Sequence, residues 1–233
     1  MNPLTQLANK YHNKPVWIVG SDPTIDYYPD KFLDNKIGIT LHLAYLKFPD
    51  ATYRYFNEYD RITFLMAKDA SIKEKEIIVG YPFYQRSTDV SDRILNEFKT
   101  VWYLDNEDYP PNGDPSDIFT PTGVNAMKRW VHDARKGLSN IYGSNGTCMH
   151  NAFYAAILMG GNPINIIGCG FKTVDGMEHF SGSNTIDKAM RPHTGPFTGH
   201  RGNRMTKGYE AIVEGCKELN IKVNRYERFT DIG

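Results

Sequence analysis

The most constraining feature of the sequence is a helix-turn-strand pattern in residues 144–170. Residues 144–147, Ser-Asn-Gly-Thr, stand directly before an apolar run, which is typical of a capped helix N-terminus. Two glycines at 160–161 then end the helix, and residues 164–167, Ile-Asn-Ile-Ile, form a short strand. Small and apolar residues recur at helical spacing between these ends, namely Cys148, Ala152, Ala155, Ala156 and Met159. The pattern is half of a β-α-β unit, whose binding sites lie at the carboxyl ends of the strands.

The same alternation of strand and helix recurs along the chain. Apolar, β-branched segments predict strands at residues 15–19, 36–40, 52–56, 76–79, 101–104, 164–167 and 221–225. Helical patterns lie at residues 61–67, 89–99, 122–135 and 205–219, and a short leading helix is predicted at residues 2–11. Because strands separated by helices pair in parallel, the sequence predicts an α/β fold with a single doubly wound, mostly parallel, Rossmann-like sheet.

Length, charge and cysteine usage narrow the class of protein. A chain of 233 residues predicts one domain, residues 1–233. The 27 lysines and arginines balance the 27 aspartates and glutamates, so no overall field favours nucleic acid or an anionic membrane. The three cysteines, Cys148, Cys169 and Cys216, lack C-x-x-C spacing and are interpreted as reduced core thiols, which favours the cytoplasm. No segment approaches the roughly 18 apolar residues of a membrane span, and self-association is left open.

Polar side chains follow the first three predicted strands. Residues 20–26, Gly-Ser-Asp-Pro-Thr-Ile-Asp, are turn formers that resemble the phosphate-side loop of a first βα unit, without the G-x-G-x-x-G pattern of NAD or FAD sites. His42 follows the second strand, and Asn57 and Asp60 follow the third. In open α/β sheets such positions hold the base and ribose of a nucleotide. The alternative is that His42 is an interior histidine and that Asn57 and Asp60 cap the next helix.

Two loops carry further polar residues. Residues 105–108, Asp-Asn-Glu-Asp, offer oxygen ligands for Mg²⁺ but stand in a proline-rich stretch that favours a solvated turn. Beyond Lys172, glycine, histidine, arginine and threonine replace the apolar residues, and we interpret residues 175–203 as a lid segment over the sheet edge. Its candidate anion-binding and proton-transfer groups, with one just beyond it, are His179, Arg191, His193, His200, Arg201 and Arg204. The alternative is a loop with incidental histidines.

Four motifs occur together in this chain: V-W-I-V-G-S-D-P-T at residues 16–24, the strand end at Asn57, N-G-T-C-M with the strand M-G-G-N-P-I-N-I-I-G, and G-H-R before the last helix. Together they resemble the small bacterial sialyltransferases that use CMP-sialic acid, and the related hydroxymethylpterin diphosphokinases. The resemblance implies that the first loop and the N-G-T helix start hold the nucleotide. The positions concerned are Gly20, Ser21, Asp22, Thr24, Asn57, Asn145, Gly146 and Thr147.

The resemblance also implies a catalytic base, His200 of the G-H motif, because a histidine pKa near about 6.5 suits proton removal at neutral pH. The chain departs from the family at two places. An aspartate is common where this chain has Gly170, and the tyrosines that steady the leaving phosphate fall near Lys172 and His179. Lysine and histidine would stabilise a phosphate by charge.

We therefore expect a glycosyltransferase that moves a sugar from a nucleotide-activated donor, with a CMP-type donor favoured, to a small-molecule or glycan acceptor. No cofactor and no metal are expected for this reaction. The first alternative is a diphosphokinase acting on a hydroxymethyl pterin or pyrimidine, in which Mg²⁺ bridges phosphates and is held by Asp60 or residues 105–108. The second alternative is a non-catalytic nucleotide-binding module.

Overall fold

The computed structural model describes residues 2–57, 59–80, 88–103, 121–138, 148–170, 181 and 200–232. Strands in this part form one sheet: β1 (Asn2–Pro3), β2 (Val16–Val19), β3 (Ile37–Leu41), β4 (Tyr53–Phe56), β5 (Glu76–Val79), β6 (Thr100–Tyr103), β7 (Ile164–Ile167) and β8 (Val223–Tyr226). Their order across the sheet is β1-β6-β5-β4-β3-β2-β7-β8, and every neighbouring pair is parallel. The predicted doubly wound, parallel α/β sheet is confirmed.

Helices pack on both faces of this sheet. The α-helices are α1 (Tyr59–Lys68), α2 (Thr88–Leu95), α3 (Pro121–Arg135), α4 (Cys148–Leu158) and α5 (His200–Glu218). Short 3-10 turns cover Leu4–Leu7, Pro23–Tyr27, His42–Leu46, Ala70–Glu74 and Phe229–Asp231. Within the described ranges, none of the helices has the length and apolar character needed to span a bilayer.

The order of the strands reverses once, which defines a topological switch point. Strands β2 to β6 are added in sequence on one side of β2, whereas β7 and β8 lie on its other side. Val16 accordingly stands opposite both Ile37 of β3 and Ile164 of β7. A crevice outside the carboxyl ends of the two strands that flank such a reversal is the usual ligand position in this class of sheet.

Residues along each strand alternate between apolar cores on the two faces of the sheet. On β2, Val16 and Ile18 pack in a core with residues of α3, α4 and α5, whereas Trp17 and Val19 face the opposite side. That side carries two separate cores, one that contains Trp17 and Val19 and one that contains residues of α1 and α2. Helix α4 lies at the centre of the first core, and residues 149–159 are all buried. Its small residues therefore pack against the sheet as predicted, and its other sides are covered as well.

The predicted leading helix at residues 2–11 is wrong. The chain there forms β1, the 3-10 turn Leu4–Leu7 and further turns. The amides of residues 9, 11 and 13 donate to the carbonyls of residues 158–160 at the end of α4, and Asn9 and Asn13 have positive φ angles of 58° and 56°. The segment thereby satisfies carbonyls that a helix end leaves unpaired, so a long-range contact overrides local helix propensity.

Candidate functional site

The carboxyl ends of β2 and β7 are joined by a seam, which we define as residues 20–22 and 168–170. The amide of Gly20 donates to the Ile167 carbonyl at 2.9 Å, and the amide of Asp22 donates to the Gly168 carbonyl at 3.0 Å. A Cβ atom on Gly20 would lie 2.1 Å from the Gly168 oxygen, so this approach of the two backbones requires glycine. The seam therefore fixes the position of the backbone at the switch point.

Asp22 ties the loop after β2 to the loop after β7. Its Oδ1 accepts from the Thr24 amide at 2.9 Å, which caps the turn Pro23–Tyr27, and its Oδ2 accepts from the Gly170 amide at 3.0 Å. The guanidinium of Arg225 on β8 donates to the Gly170 carbonyl at 3.2 Å, so the amide and the carbonyl of Gly170 are both held by side chains. A carboxylate therefore stands beside Gly170, although it comes from Asp22 and not from residue 170.

The three cysteines have different surroundings. Cys169 and Cys216 are buried, and burial raises the pKa of each thiol to about 12. Their interpretation as core thiols is confirmed. Cys148, the first residue of α4, is only partly buried. It packs against the first core but is not fully enclosed, because the start of α4 reaches the carboxyl edge of the sheet.

A second polar group lies at the ends of β3 and β4, under the start of α4. We call it the His42–Cys148 cluster and define it as His42, Tyr55, Asn57, Cys148 and Asn151. The imidazole Nε2 of His42 hydrogen-bonds the Cys148 Sγ, and the Asn57 Nδ2 donates to the same sulfur at 3.4 Å. The Tyr55 hydroxyl donates to the Asn57 Oδ1 and accepts from the Asn151 Nδ2 at 2.8 Å. His42 and Asn57 thus bond the thiol directly, and Tyr55 holds Asn57 in place.

Burial sets the protonation of Tyr55 in this cluster. Burial raises the Tyr55 pKa well above its usual value, and the charge of Cys148 raises it further. The phenol therefore stays protonated and remains a donor to Asn57. A Cβ atom on Gly80 would lie 2.1 Å from the Tyr55 hydroxyl, so this glycine leaves the space that the phenol occupies.

The backbone of His42 is unusual. Its φ angle is +46°, and the other non-glycine residues with positive φ in the described part are asparagines. Left-handed backbone at a residue other than glycine or asparagine is uncommon and concentrates at functional positions. The side chain of His42 is 8% exposed and also packs edge-on against Phe56. The turn after β3 therefore holds the imidazole in one orientation, toward α4.

The strand order brings together the predicted residues that the structure describes. The ends of β2, β3 and β4 are neighbours, so the loop of Gly20, Ser21, Asp22 and Thr24 lies beside His42 and Asn57. Asn57 bonds Cys148 and Tyr55, so the alternative that it is only a cap of α1 does not account for its contacts. Asp60 lies in the first turn of α1.

Several predicted residues lie outside the described ranges. They are Asn145, Gly146, Thr147, Lys172, His179, Arg191 and His193, together with residues 105–108. The predicted lid segment also lies outside them, except for Ser181 and the first residues of α5. Among the described residues, no three histidine, cysteine, aspartate or glutamate side chains are grouped as metal ligands.

The start of the last helix differs from the prediction. α5 begins at His200 and not at residue 205, so His200 is the first helical residue and does not precede the helix. Because β7 and β8 are parallel neighbours, the crossover helix between them starts at the carboxyl edge of the sheet. The backbone of His200, Arg201 and Arg204 therefore belongs to that edge.

Two contacts at this edge were not predicted from the sequence. The carboxylate of Asp26 accepts from the Ser181 amide at 2.8 Å and from the Ser181 hydroxyl at 3.2 Å, so the segment after β7 touches the turn after β2. Arg225 lies with its guanidinium carbon 5.7 Å from the centre of the Tyr209 ring. Asp26 belongs to the run of turn formers after β2, so the sequence could have indicated that it lies at the sheet edge. No local pattern indicates the contacts of Arg225 with Gly170 and Tyr209, because these residues are distant from it in the sequence.

The chain matches no protein-family model and no curated protein. The functional proposal therefore rests on three features of the site: two loops joined by Asp22, two helix N-termini at the same edge, and a thiol hydrogen-bonded to an imidazole.

Proposed function

We propose that the protein transfers a sugar from a nucleotide-activated donor, with a CMP-type donor favoured, to a hydroxyl group of a small-molecule or glycan acceptor. The observation that supports this proposal is the convergence of polar residues from three adjacent strand ends beside the switch point. These are the loop of Ser21 and Thr24 after β2, His42 after β3 and Asn57 after β4. Nucleotides bind at this position in doubly wound sheets.

The donor would lie between the loop after β2 and the start of α4. A helix N-terminus offers unpaired amides and a partial positive charge to a phosphate. Asn145, Gly146 and Thr147 immediately precede α4 and would add their backbone and side-chain groups. Both carboxylate oxygens of Asp22 already accept hydrogen bonds, so Asp22 would shape the loop and not bind the donor directly.

Transfer would proceed by displacement at the anomeric carbon. The acceptor oxygen forms a bond to that carbon as the bond to the donor phosphate oxygen breaks, and His200 takes the proton from the acceptor hydroxyl. Lys172 and His179 would neutralise the departing phosphate, and Arg191, His193, Arg201 and Arg204 would complete an anion clamp.

A thermal-shift panel tests the nucleotide site first. CMP, CDP, UDP and ATP are added with Mg²⁺ or with a chelator, because a ligand that binds only the folded chain raises its melting temperature. Stabilisation by a cytidine nucleotide in the presence of the chelator is expected. ATP acting only with Mg²⁺ would point to the diphosphokinase instead, and no shift with any nucleotide would overturn the proposal.

The variant Asn145→Ala extends this panel. Loss of one or two hydrogen bonds to the nucleotide should weaken binding by about 1–3 kcal/mol while the melting temperature without ligand changes little. Asn96→Ala, at an exposed asparagine after α2, is the matched control and should leave the affinity unchanged. Equal affinities of the two variants would mean that Asn145 only caps α4.

The catalytic step is tested with His200→Ala. Loss of a general base should lower turnover by about 10² to 10⁴-fold with an unchanged melting temperature. His132→Ala, at a histidine on α3 that contacts Glu218, serves as the control and should keep normal turnover. Normal turnover in folded His200→Ala would contradict the assignment and would direct the search to His179.

A further inference from the structure

Cys148 is chemically distinct from the other two cysteines. It is partly exposed at the first position of an eleven-residue helix, whereas the thiols of Cys169 and Cys216 are buried, with their pKa values raised to about 12. Thiols become reactive as thiolates, and a helix N-terminus together with a nearby imidazolium is the environment that favours this form. Both features meet at Cys148 alone among the three cysteines.

The contacts of the sulfur match those of an activated nucleophile. The Nε2 of His42 is within hydrogen-bonding distance of the Sγ, and the Nδ2 of Asn57 donates to the same atom from 3.4 Å. A nucleophile and a base in direct contact, with the base held by the fold, form the arrangement that activates cysteine in covalent catalysis. The positive φ of His42 and its packing against Phe56 hold the imidazole in place.

A second observation indicates that this cluster receives a polar group. Asn151 follows Cys148 by one helical turn and is 4% exposed, yet its Oδ1 has no hydrogen-bond partner among the described residues. Its Nδ2 donates a hydrogen bond to the Tyr55 hydroxyl, so the amide is held within the cluster. Buried side-chain acceptors nearly always find a donor. An unsatisfied buried acceptor in the same cluster as the thiol favours a site that binds a small polar molecule.

We propose that Cys148 and His42 form a thiolate–imidazolium pair that undergoes thiol–disulfide exchange with small-molecule disulfides at the carboxyl edge of the sheet. The Cys148 sulfur attacks one sulfur of the disulfide, a new S–S bond to Cys148 forms, and the original S–S bond breaks. The other half departs as a thiolate. The disulfide is the only oxidant consumed, and His42 retains its proton or passes it to the departing sulfur.

The charges that face the sulfur favour the ion pair. Among the described residues of the cluster, the titratable side chains other than Cys148 are His42, from the turn after β3, and Tyr55, from β4. Tyr55 stays protonated, so it adds no negative charge next to the thiolate. The amide of Asn57 contributes a donor, which stabilises negative charge on sulfur. The exchange consumes no nucleotide, although His42 and Asn57 also belong to the proposed nucleotide site.

Reaction of the full chain with dithiobis-nitrobenzoate tests the proposal, because each exchange releases a coloured thiolate. One thiol per chain should react rapidly, and peptide mapping of the mixed disulfide should locate it at Cys148. Its rate should fall by less than about threefold between pH 8.5 and pH 6.5, whereas a free cysteine with a pKa of about 8.5 loses about tenfold per pH unit below that value. Rapid labelling elsewhere, or the pH profile of a free cysteine, would overturn the proposal.

Two variants test the pairing with His42. Cys148→Ser should abolish the rapid phase. His42→Asn removes the imidazole, and asparagine accepts positive φ readily, so the turn is preserved. Its rate at pH 6.5 should fall about tenfold or more, while the rate at pH 8.5 changes little. His132→Asn, at a histidine on α3, is the matched control and should keep the original profile. An unchanged profile in folded His42→Asn would refute the pair; if that variant fails to fold, mapping and the pH profile of the unaltered chain decide.

Discussion

Asp22 shows how one side chain connects two strands at their ends. Backbone pairing joins β2 and β7 only as far as the seam, and beyond it the loops would separate. The two oxygens of Asp22 accept amides from Thr24 and Gly170, one on each loop. The side chain is 7% exposed, so these hydrogen bonds are shielded from water. The geometry of the candidate site therefore depends on a residue that need not touch a ligand.

Replacing Asp22 by asparagine should expose this dependence. The variant keeps the size of the side chain but leaves one amide without a carboxylate oxygen, which should cost about 1–3 kcal/mol in the free energy of unfolding. Chemical denaturation measures the loss. Asp26→Asn, whose contacts to Ser181 are exposed, is the matched control and should cost less than about 1 kcal/mol. Similar losses in both variants would show that Asp22 does not hold the seam.

Single residues differ in how far the sequence reveals their roles. His42 and Asn57 were predicted to be near each other, because the ends of adjacent parallel strands meet at one edge. The reactive position of Cys148 was not predicted, since its contacts come from residues far away in the chain. The hydrogen bond between Tyr55 and Asn151 spans 96 residues. No periodicity encodes such a contact, which depends on how a helix is placed over a sheet.

Among the elements, the short turn that leads into β5 is held by its own cap. Asp69 precedes the 3-10 turn Ala70–Glu74, and its Oδ1 accepts from the Ser71 amide at 2.9 Å. Its Oδ2 accepts from the Tyr45 hydroxyl at 2.7 Å. The hydrogen bonds from Ser71 and then from Tyr45 hold the pKa of Asp69 below its usual value. The charged form of this carboxyl is therefore the stabilising form.

Asp69→Ala should reduce the free energy of unfolding by about 1 kcal/mol at neutral pH, the usual cost of a lost cap. The folded pKa is lower than the unfolded pKa, so this stabilisation is complete above the unfolded value of about 3.9 and is lost as pH falls through the folded pKa. The difference between variant and parent should therefore close in acid. Asp34→Ala, at an exposed aspartate, should show no difference at any pH. A constant loss down to pH 2 would mean that the charge of Asp69 is not the cause.

Most elements were predictable, because strands buried on both faces give short apolar runs that local pattern alone identifies. The strands at residues 76–79 and 164–167 have the predicted bounds, and the other strands of the predicted set agree to within two residues at either end. The clear errors concern helices: the predicted leading helix is absent, α2 ends at Leu95 and not at residue 99, and α5 starts early. Residues 2–11 pair with the end of α4, and α5 starts at His200, where glycines at 199 and 202 had indicated a loop. Tertiary contacts determine where these segments begin and end, so local propensity does not predict them.

On the scale of the molecule, one sheet joins the cores on its two faces. Trp17 belongs to one of the two cores on the face that carries α1 and α2, whereas Trp130 lies in the core of α3, α4 and α5 on the other face. Trp102 packs against the latter core from β6, and its indole nitrogen donates to Glu76 at 2.7 Å. The strands contribute alternate residues to the cores on both faces, so loss of the cores on either face exposes the same strands.

Unfolding should therefore be one cooperative transition seen by every tryptophan. Three variants that each retain a single tryptophan, with the other two replaced by phenylalanine, report on Trp17, Trp102 and Trp130 separately. The fluorescence midpoint of each variant should coincide with its far-ultraviolet circular dichroism midpoint in urea, as two-state unfolding requires. A Trp17 midpoint clearly below the other signals would show that the core around Trp17 unfolds on its own.

The reversal in strand order also has a consequence during synthesis. β2 can pair with β3 once both have left the ribosome, but its other edge stays unpaired until β7 is made, whose Ile164 is about 150 residues beyond Val16. Until then the nascent chain carries a bare, apolar strand edge at what will become the middle of the sheet. Unpaired edges of this kind recruit other strands. Cellular yield of this protein should therefore depend on chaperones that shield the nascent chain until its last third is made.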